Sequence, residues 1–288
     1  MSVLRILFTR LRAEEKMLAE AASRMGIPCE MTNVTHTVWG GASLCASDDV
    51  VLARCVSHSQ NEAVAHILET QGIYVANPSS VMALCGDKLL TTLALERDGV
   101  AQPGYRIALS PEGALEAAEE MGYPVVLKPL SGSWGRLLAK VNDRESAEAI
   151  IEHKSMLGVA HNTFYLQEYV EKGGFDLRAF VVGGEPICAI RRESAHWITN
   201  TARGGKAANF PLDGDTNEIL RQVYRAIGGD FLAVDLFCSE GRWLVNEVND
   251  GGEFRNSCEP TGTDIPGAVV RHLWEKRHGN KREVTAGL

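Results

Sequence analysis

Short apolar runs alternate with amphipathic stretches over the first ninety residues of the chain. The apolar runs at 3–8, 49–53 and 73–77 are rich in branched and aromatic residues and predict strands. Apolar spacing of three to four residues predicts helices at 14–25 and 61–71. Strands that alternate with helices form βαβ units, so we expect this part of the chain to build a small parallel sheet.

The rest of the chain predicts more strands than helices. Helical patterning stops at the Gly- and Pro-containing segment 99–104, which indicates a subdomain boundary. Beyond it we expect helices at 110–121, 146–157 and 216–227, and strands at 105–108, 124–129, 137–141, 164–169, 177–182, 186–191, 234–237 and 243–249. The strands on either side of the glycine-rich loop 131–136 are expected to form a hairpin, and the polar segment 193–210 is expected to be irregular.

Three oxygen-bearing side chains interrupt the apolar pattern of the last two strands. In 243–249, residues 245, 247 and 249 are expected to share one face, which places Glu247 and Asn249 about 7 Å apart. If 234–237 pairs antiparallel with that strand, Asp235 lies beside them. Two carboxylates and an amide oxygen suit Mg²⁺, which takes few protein ligands. Any one of these residues is more often a solvated residue on a polar face, but a lone Asp235 inside an apolar strand would be costly to bury.

Two lysines stand at positions suited to a polyphosphate. Lys128 ends an apolar strand and Lys88 stands at the start of a helix, so each can act as a fixed point charge. Taken singly, both are more often surface lysines. The loop 132–136 lacks the spacing of a P-loop or a dinucleotide fold. Its backbone N–H groups could nevertheless cover phosphates as a lid does.

Two further segments carry groups suited to a nucleotide and an anionic substrate. The strand 164–169 can form an apolar slot for adenine, and Asp176 beyond it can accept ribose hydroxyls, although a plain half-buried strand is the commoner interpretation. The segment 191–203 carries three arginines and Asn200. It is either an ordinary charged loop or a clamp for a carboxylate or an acyl phosphate. No Ser-His-Asp or Cys-His arrangement is evident, and Cys55 and Cys85 are weak nucleophile candidates.

Composition narrows the class of protein. At 288 residues, 45% of them hydrophobic, the chain is expected to form two or three subdomains that share one cleft. A net charge of −8 argues against nucleic-acid binding. The chain shows neither a signal segment nor a membrane span, so we expect a soluble, cytoplasmic protein. Its seven cysteines lack zinc spacing and are expected to be reduced thiols.

Eight motifs in a fixed order give the chain a family resemblance. They are GDK at 86–88, VLKP at 126–129, GSWGR at 132–136, QEYV at 167–170, DLR at 176–178, NTARGG at 200–205, VDL at 234–236 and NEVN at 246–249. Over nearly its whole length the chain resembles the RimK-like branch of the ATP-grasp ligases. Within that branch it is most similar to the LysX group, and SAHWITNTARGG at 194–205 is the most specific match.

The resemblance implies an α/β (α+β) fold of the ATP-grasp type. An N-terminal preATP-grasp subdomain with a parallel sheet would occupy residues 1–86, and an ATP-grasp domain would occupy 87–288. Two mixed α+β subdomains would make up that domain, a central or lid subdomain at 87–170 and a C-terminal one at 171–288. The two would clasp ATP between them.

The resemblance also implies roles for the residues that match its motifs. The ATP-binding residues would be Lys88, Lys128, Gly132, Ser133, Gly135, Arg136, Gln167, Glu168, Tyr169, Val170, Asp176 and Asn200. Within that set the lysines would contact phosphates, residues 167–170 would line adenine and Asp176 would meet ribose. Asp235, Glu247 and Asn249 would hold Mg²⁺, and Arg178 and Arg203 would stabilise an acyl phosphate. The amino acid or the carrier would be recognised by Arg192, Asn200, Arg203, Glu253, Phe254 and Asn256.

The implied reaction activates a carboxylate with ATP, after which an amine attacks the acyl phosphate to give an amide, ADP and phosphate. The carboxylate would be the C-terminal glutamate side chain of a small acidic LysW-like amino-group carrier protein, and the amine that of α-aminoadipate, in lysine biosynthesis. Glutamate, used in arginine biosynthesis, or both amino acids are alternatives, because 250–252 is Asp-Gly-Gly where LysX sequences carry a bulkier stretch. A non-catalytic ATP-binding module is a remoter alternative. The family resemblance also leads us to expect a homo-oligomer.

Overall fold

The computed structural model describes residues 2–41, 43–132, 137–158, 161–194, 196–199 and 206–279. Within these residues the chain forms three β-sheets, whose strands come from the successive segments 4–76, 105–168 and 175–249. Each sheet lies within one of the three predicted segments, although the boundaries between those segments stay a prediction. One parallel sheet and two antiparallel sheets give the mixed α and β organisation that we expected.

The first sheet is parallel, with the strand order β2-β1-β3-β4. Its strands are β1 (Leu4–Phe8), β2 (Cys29–Asn33), β3 (Val50–Ala53) and β4 (Tyr74–Ala76), and its helices are α1 (Ala13–Arg24) and α2 (His58–Thr70). The sequence pattern predicted all of these elements except β2. That strand lies at the sheet edge and has no buried residue, so its sequence CEMTN carries no apolar signal.

Two helices lead from the first sheet to the second, α3 (Ser79–Gly86) and α4 (Lys88–Arg97). Asp87 separates them and caps α4, because its carboxylate accepts hydrogen bonds from the backbone N–H groups of Leu89 at 2.8 Å and Leu90 at 3.2 Å. Lys88 is therefore the first residue of a capped helix. Because the Asp87 cap fixes the start of α4, the backbone of Lys88 has a fixed position.

The second sheet is antiparallel, with the order β5-β8-β6-β7. Its strands are β5 (Tyr105–Ala108), β6 (Val125–Lys128), β7 (Ala139–Val141) and β8 (Phe164–Glu168), and its helices are α5 (Pro111–Met121) and α6 (Arg144–Ser155). Strands β6 and β7 pair antiparallel, which confirms the predicted hairpin. Lys128 therefore lies at the end of β6, where the chain enters the glycine-rich loop.

The third sheet is also antiparallel, with the order β11-β10-β9-β12-β13. Its strands are β9 (Phe175–Val182), β10 (Glu185–Glu193), β11 (Lys206–Phe210), β12 (Phe231–Ser239) and β13 (Arg242–Asn249), and its helices are α7 (Gly214–Ile227), α8 (Arg255–Thr261) and α9 (Ile265–His278). The prediction of an irregular segment at 193–210 was wrong for β11. This edge strand has no buried residue and no apolar pattern to reveal it.

The third sheet has an apolar face, which packs against α7, and a mixed face, where Phe180, Val182, Phe231 and Ala233 join the core of the first sheet and α9. The buried residues of the contact with α7 come from β9, β12, β13 and the helix, and they include Leu177, Val181, Leu232, Val234, Val248, Leu220 and Val223. Because side chains alternate along a strand, the opposite face receives the residues between these positions. That opposite face is where the charged residues of β9, β10 and β12 lie.

Asn77 joins the first sheet to the third. Its side chain is 2% exposed, and its Nδ2 donates to the backbone oxygens of Phe231, at 2.7 Å, and Asp250. Its Oδ1 accepts from the backbone N–H groups of Asp230 and Phe231. One amide side chain therefore holds both the start of β12 and the segment after β13 against the end of β4.

The structure also bears on the cysteines and on membrane spans. All seven cysteines lie among the described residues and are free thiols, as predicted. None of the helices in the described part of the chain combines the length and apolarity that a membrane crossing requires.

The tight packing after β13 gives a stability prediction. A Cβ atom at Gly252 would lie 2.4 Å from Cβ of Ala233, which is 0% exposed on β12. Gly252→Ala is therefore expected to lower the free energy of unfolding by about 1–3 kcal/mol, as overpacking typically does. Urea unfolding measures the change. Gly214→Ala is the matched control, because nothing lies within 4 Å of its Cβ position; equal losses in the two variants would contradict the packing argument.

Candidate active site

A charged layer covers one face of the third sheet. The strand register places Asp235 directly opposite Arg178 on one side and Glu247 on the other, and it places Arg192 opposite Asp176. These five side chains come from four adjacent strands. Cross-strand neighbours lie close enough to interact directly, so the sheet itself brings the opposite charges together.

A β-bulge at Asn246 corrects the predicted face of β13. Asp235 pairs with Glu247 and the next residue, Leu236, pairs with Val245, so Asn246 is the extra residue. Val245 consequently lies in the apolar core, at 2% exposed, and does not share a face with Glu247 as the alternation had predicted. The predicted antiparallel pairing of β12 with β13 is confirmed, and Asp235 lies beside Glu247.

Asp235 is held by two arginines. Arg178 donates to it through Nε at 2.8 Å and through Nη2 at 2.9 Å, which is a bidentate ion pair. Nη2 of Arg192 lies 3.2 Å from Oδ2 of Asp235, and its Nε donates to Asp176 at 2.7 Å. Arg192 is 4% exposed and committed to two carboxylates, so the structure contradicts the prediction that its guanidinium recognises the substrate directly.

The pKa values of these groups follow from their mutual pairing. Burial would raise the pKa of Asp235, but the guanidinium groups of Arg178 and Arg192 outweigh it and lower that pKa to about 2. Burial would lower the pKa of Arg192, yet Asp235 and Asp176 raise it above its usual value. Both groups are therefore charged at neutral pH, and each keeps the other charged.

Lys172 extends this cluster and was missed by the sequence analysis. Its Nζ donates to Oγ1 of Thr199 at 2.9 Å and lies 3.6 Å from Oδ2 of Asp176, and the hydroxyl of Thr199 also donates to Asp176. Burial lowers the pKa of Lys172, although Asp176 opposes that shift. The only sequence signal was a lysine four residues before an aspartate across two glycines. Through Thr199, this lysine ties the charged layer to the segment that leads into 200–205.

Two lysines from other elements approach the same strand. Nζ of Lys128 donates to Oδ1 of the bulged Asn246 at 2.8 Å. Nζ of Lys88 lies 3.6 Å from Oε1 of Glu247 and donates to the backbone oxygen of Gly132 at 3.0 Å. The two lysines therefore meet Gly132 of the glycine-rich loop and β13, although these groups come from three separate parts of the chain.

The space between these groups is a cleft, of about 350 Å³ when the open solvent at its mouth is counted. Its lining includes both lysines and the residues Thr92, Gln102, Tyr165, Gln167, Asn246 and Glu247. Burial lowers the pKa of Lys128 to about 7, and Glu247 only partly offsets that effect. An anion that enters the cleft would stabilise the charged ammonium, because its opposite charge offsets the hydration that the lysine loses on burial.

The residues predicted to line adenine take different positions. Gln167 is buried on β8, at 4% exposed, and lines the cleft, and Val170 is buried just beyond that strand. Glu168 is exposed, and the ring of Tyr169 lies under Nζ of Lys140 at 3.5 Å. The structure thus places one of the four side chains on the cleft wall, and the adenine assignment stays a prediction.

The donor set on β12 and β13 fits a hard cation. Asp235 and Glu247 carry carboxylate oxygens, and Asn249 carries an amide oxygen. Both oxygens of Asp235 accept from Arg178, so a cation there would replace that guanidinium. Across the residues that the structure describes, no group of three or more His, Cys, Asp or Glu side chains could hold a metal alone. Mg²⁺ commonly completes its shell with water and phosphate oxygens, so two carboxylates and an amide suffice.

Several other predicted site residues can be placed. Phe254 is 0% exposed and packs edge-on against Phe231, with ring centroids 6.0 Å apart, so the structure contradicts a direct substrate contact by Phe254. Glu253 is partly buried and Asn256 is exposed on α8. The carboxylate of Asp176 is already taken by Arg192 and Thr199, so a contact with ribose would require exchange of a partner. The remaining predicted residues, Ser133, Gly135, Arg136, Asn200 and Arg203, lie outside the described residues.

A parallel sheet followed by two antiparallel sheets, with Lys88 of α4 and Lys128 of β6 contacting the last strand of the third sheet, is the arrangement of an ATP-grasp enzyme. A family model for the RimK-like ATP-grasp domain matches residues 85–273, and a model for the LysX preATP-grasp domain matches residues 4–84. The chain therefore belongs to the RimK-like ATP-grasp family, and it is an ATP-dependent ligase.

Similar proteins cover nearly the whole chain. An α-aminoadipate–LysW ligase LysX of Sulfurisphaera tokodaii is 32% identical over 95% of this chain and 98% of its own length. A glutamate–LysW ligase ArgX of Sulfolobus acidocaldarius is 31% identical over 91% of this chain and 95% of its own. The structure of a RimK domain ATP-grasp protein of Sphaerobacter thermophilus matches with a TM-score of 0.78 at 23% identity, covering 94% and 99% of the two chains. The predicted fold class and family are thereby confirmed.

The pKa of Lys128 predicts how nucleotide binding depends on pH. Phosphate favours the ammonium form, whose pKa in the free protein is about 7. The affinity for ADP is therefore expected to be highest below pH 7 and to fall as the pH rises, by up to about tenfold per pH unit. Calorimetric titration between pH 6 and pH 9 measures this slope.

The variant Lys128→Met separates the lysine from the nucleotide's own titration. It should bind ADP more weakly below pH 7 and show a flatter profile, because only the phosphate groups still titrate. A wild-type profile that parallels the variant's at every pH would show that Lys128 does not titrate with binding.

Proposed function

We propose that the protein joins the amino group of α-aminoadipate to the side-chain carboxylate of the C-terminal glutamate of a LysW-like carrier protein, in lysine biosynthesis. ATP would first phosphorylate that carboxylate, and the amine would displace the phosphate from the acyl phosphate. The names of the similar LysX and ArgX ligases support a carrier of this kind. A homo-oligomeric state stays part of the proposal.

The balance of charge around the cleft carries this proposal. Five cationic side chains surround three carboxylates: Lys88, Lys128, Lys172, Arg178 and Arg192 against Asp176, Asp235 and Glu247. With Lys128 protonated, the cluster has a surplus of two positive charges in a chain whose net charge is −8. A reaction among a nucleotide, a carboxylate and an acyl phosphate needs neutralisation of negative charge more than a covalent nucleophile.

In this proposal the lysines and β8 place the nucleotide. Lys88 and Lys128 contact the phosphates, since both ammonium groups reach the cleft from fixed helix and strand ends. Gln167 contributes to the adenine slot together with the backbone of residues 168–170. Asp176 accepts a ribose hydroxyl after exchange of one of its present partners.

Asp235, Glu247 and Asn249 hold Mg²⁺, which when bound neutralises phosphate oxygens during phosphoryl transfer. Arg178 and Arg192 have different roles in this proposal. The side chain of Arg178 is 20% exposed and that of Arg192 is 5% exposed, and Arg192 has a second carboxylate partner. Arg178 is therefore the guanidinium that leaves Asp235 and meets the acyl phosphate, while Arg192 keeps Asp176 and Asp235 in place.

The choice of amino acid is the finer part of the proposal. The relatives include a ligase that acts on α-aminoadipate and one that acts on glutamate, at nearly equal identity to this chain. Glutamate, or both amino acids, is therefore the alternative. The two differ by one methylene, and a pocket typically discriminates a single methylene by only about 1–3 kcal/mol.

The proposed reaction predicts a mass shift on the carrier. The protein is incubated with ATP, Mg²⁺, a LysW-like carrier and either α-aminoadipate or glutamate, and the intact mass of the carrier is measured. We expect the carrier to gain one α-aminoadipate residue. Omission of ATP is the control. A shift only with glutamate would show that the protein is a glutamate ligase, which is the alternative. No shift with either amino acid would refute the proposed reaction.

Glu247 gives a second prediction, because the proposed metal site has few protein ligands. Glu247→Gln keeps the size of the side chain and removes its charge, so ligation is expected to fall by at least about a hundredfold at ordinary Mg²⁺ concentrations. Raised Mg²⁺ should partly restore the rate. The control is Glu185→Gln, an exposed carboxylate of the same sheet that pairs with Arg221. Near-normal turnover of Glu247→Gln at low Mg²⁺ would contradict the metal assignment.

A further inference from the structure

Arg54 is a buried arginine that the mechanism above does not use. It follows the last residue of β3 at the carboxyl end of the parallel sheet and is 4% exposed. Its Nε donates to Oε1 of Glu15 at 3.0 Å, and its Nη1 donates to the backbone oxygen of Gly251. Its Nη2 is buried without a hydrogen-bond partner among the described residues. Buried guanidinium groups rarely leave a donor unused, so an unused one calls for a ligand or a water.

The same arginine lines a second concavity, an open cavity of about 240 Å³ when the solvent at its mouth is counted. The cavity lies between the carboxyl ends of β3 and β4 and the segment after β13, and its lining includes Arg54, Asn77, Asp250 and Gly251. Open α/β sheets bind ligands at this edge, outside the carboxyl ends of their strands. Asp250 follows Asn249 directly, so the cavity adjoins the proposed metal site in sequence.

Electrostatics leave Arg54 short of negative charge. Burial and the nearby Arg12 lower the pKa of Arg54, and the attraction of Glu15 does not make up the difference. Glu15 cannot neutralise it alone, because the same carboxylate also accepts a hydrogen bond from Arg12 at 2.8 Å. A carboxylate from outside would restore the balance and satisfy the unused donor.

Asp250 also lines the cavity, and its backbone oxygen accepts a hydrogen bond from Asn77. Among the described residues of that lining Arg54 is the one cationic residue, so the cavity suits a carboxylate. The backbone of Gly251 leaves room beside the guanidinium, since a Cβ atom there would lie 3.0 Å from Nη1 of Arg54.

We propose that Arg54 binds a carboxylate of the amino-acid substrate, in a subsite formed by the parallel sheet and the segment Asp250–Gly251. The inference deepens the proposed function and rests on it for the identity of the substrate. An amino acid anchored there would be held by the first sheet while its amine faces the phosphates bound by the other two. The subsite would also give the preATP-grasp part of the chain a direct role in substrate recognition.

The test measures binding without turnover. L-α-Aminoadipate and L-glutamate are titrated by calorimetry into the full-length protein in the presence of ADP and Mg²⁺. Wild type is compared with Arg54→Met, which removes the guanidinium while keeping an unbranched side chain. The dissociation constant of the preferred amino acid is expected to rise about tenfold or more, as for loss of a charge-assisted hydrogen bond. The dissociation constant of ADP should stay unchanged, because the nucleotide cleft is separate.

Arg12→Met is the matched control. Arg12 pairs with the same Glu15 and donates to the backbone oxygen of Arg54 at 3.4 Å but does not line the cavity, so this variant disturbs the surroundings of Arg54 while keeping its guanidinium. It should bind the amino acid within about twofold of wild type. Gly251→Ala is a second test variant, which crowds Nη1 and leaves the pair with Glu15 intact. It should weaken amino-acid binding severalfold even if Arg54→Met fails to fold.

Three results would overturn the subsite. They are an unchanged amino-acid affinity in Arg54→Met or, if that variant does not fold, in Gly251→Ala; an equal loss in Arg12→Met; and no binding of either amino acid to wild type. Either of the first two results would mean that Arg54 has only a structural role, in which it links the first sheet to the segment after β13. Binding that depends on Arg54, without a mass shift on the carrier, would keep the subsite and refute only the proposed ligation.

Discussion

Asp235 lies between two guanidinium groups on the one charged face of the third sheet, and the site depends on that contact. A buried carboxylate without partners is strongly unfavourable. Here Arg178 binds it through two hydrogen bonds and Arg192 through a third contact at 3.2 Å. Removing one partner from a buried pair typically costs about 3–5 kcal/mol, because the other charge is left uncompensated. The residues of this layer therefore depend on one another for their charge and position.

The same layer explains how the three sheets act as one site. Strand register alone brings Asp176, Arg178, Arg192 and Asp235 together within the third sheet. The second sheet contacts β13 at the bulge, where the side chain of Asn246 leaves the regular alternation and accepts the hydrogen bond from Lys128. A regular strand would point residue 246 away from its neighbours at 245 and 247. The bulge thus turns a sheet edge into a contact between subdomains.

The sequence predicted the parts of this arrangement that depend on local pattern. The β6–β7 hairpin, the pairing of β12 with β13 and the helix start at Lys88 follow from alternation, turn residues and capping. Edge strands β2 and β11 were missed because they bury no residue. The bulge, the burial of Arg192 and Phe254, and the role of Lys172 depend on contacts between distant segments. No local pattern distinguishes a buried, paired arginine from one that is free to bind a substrate.

The segment after β13 has room for only small residues at 251 and 252. Gly252 can carry no side chain, because a Cβ atom would meet Ala233 of β12 at 2.4 Å. Gly251 must stay small for a different reason, since its backbone oxygen accepts from Arg54 and a Cβ atom would crowd that guanidinium. Gly252 thus allows close packing against β12 of the third sheet, and Gly251 leaves space for Arg54 at the edge of the first sheet. A bulkier segment here would require β12 and Arg54 to move together, so changes that alter the pocket at this joint are constrained by the packing of both sheets.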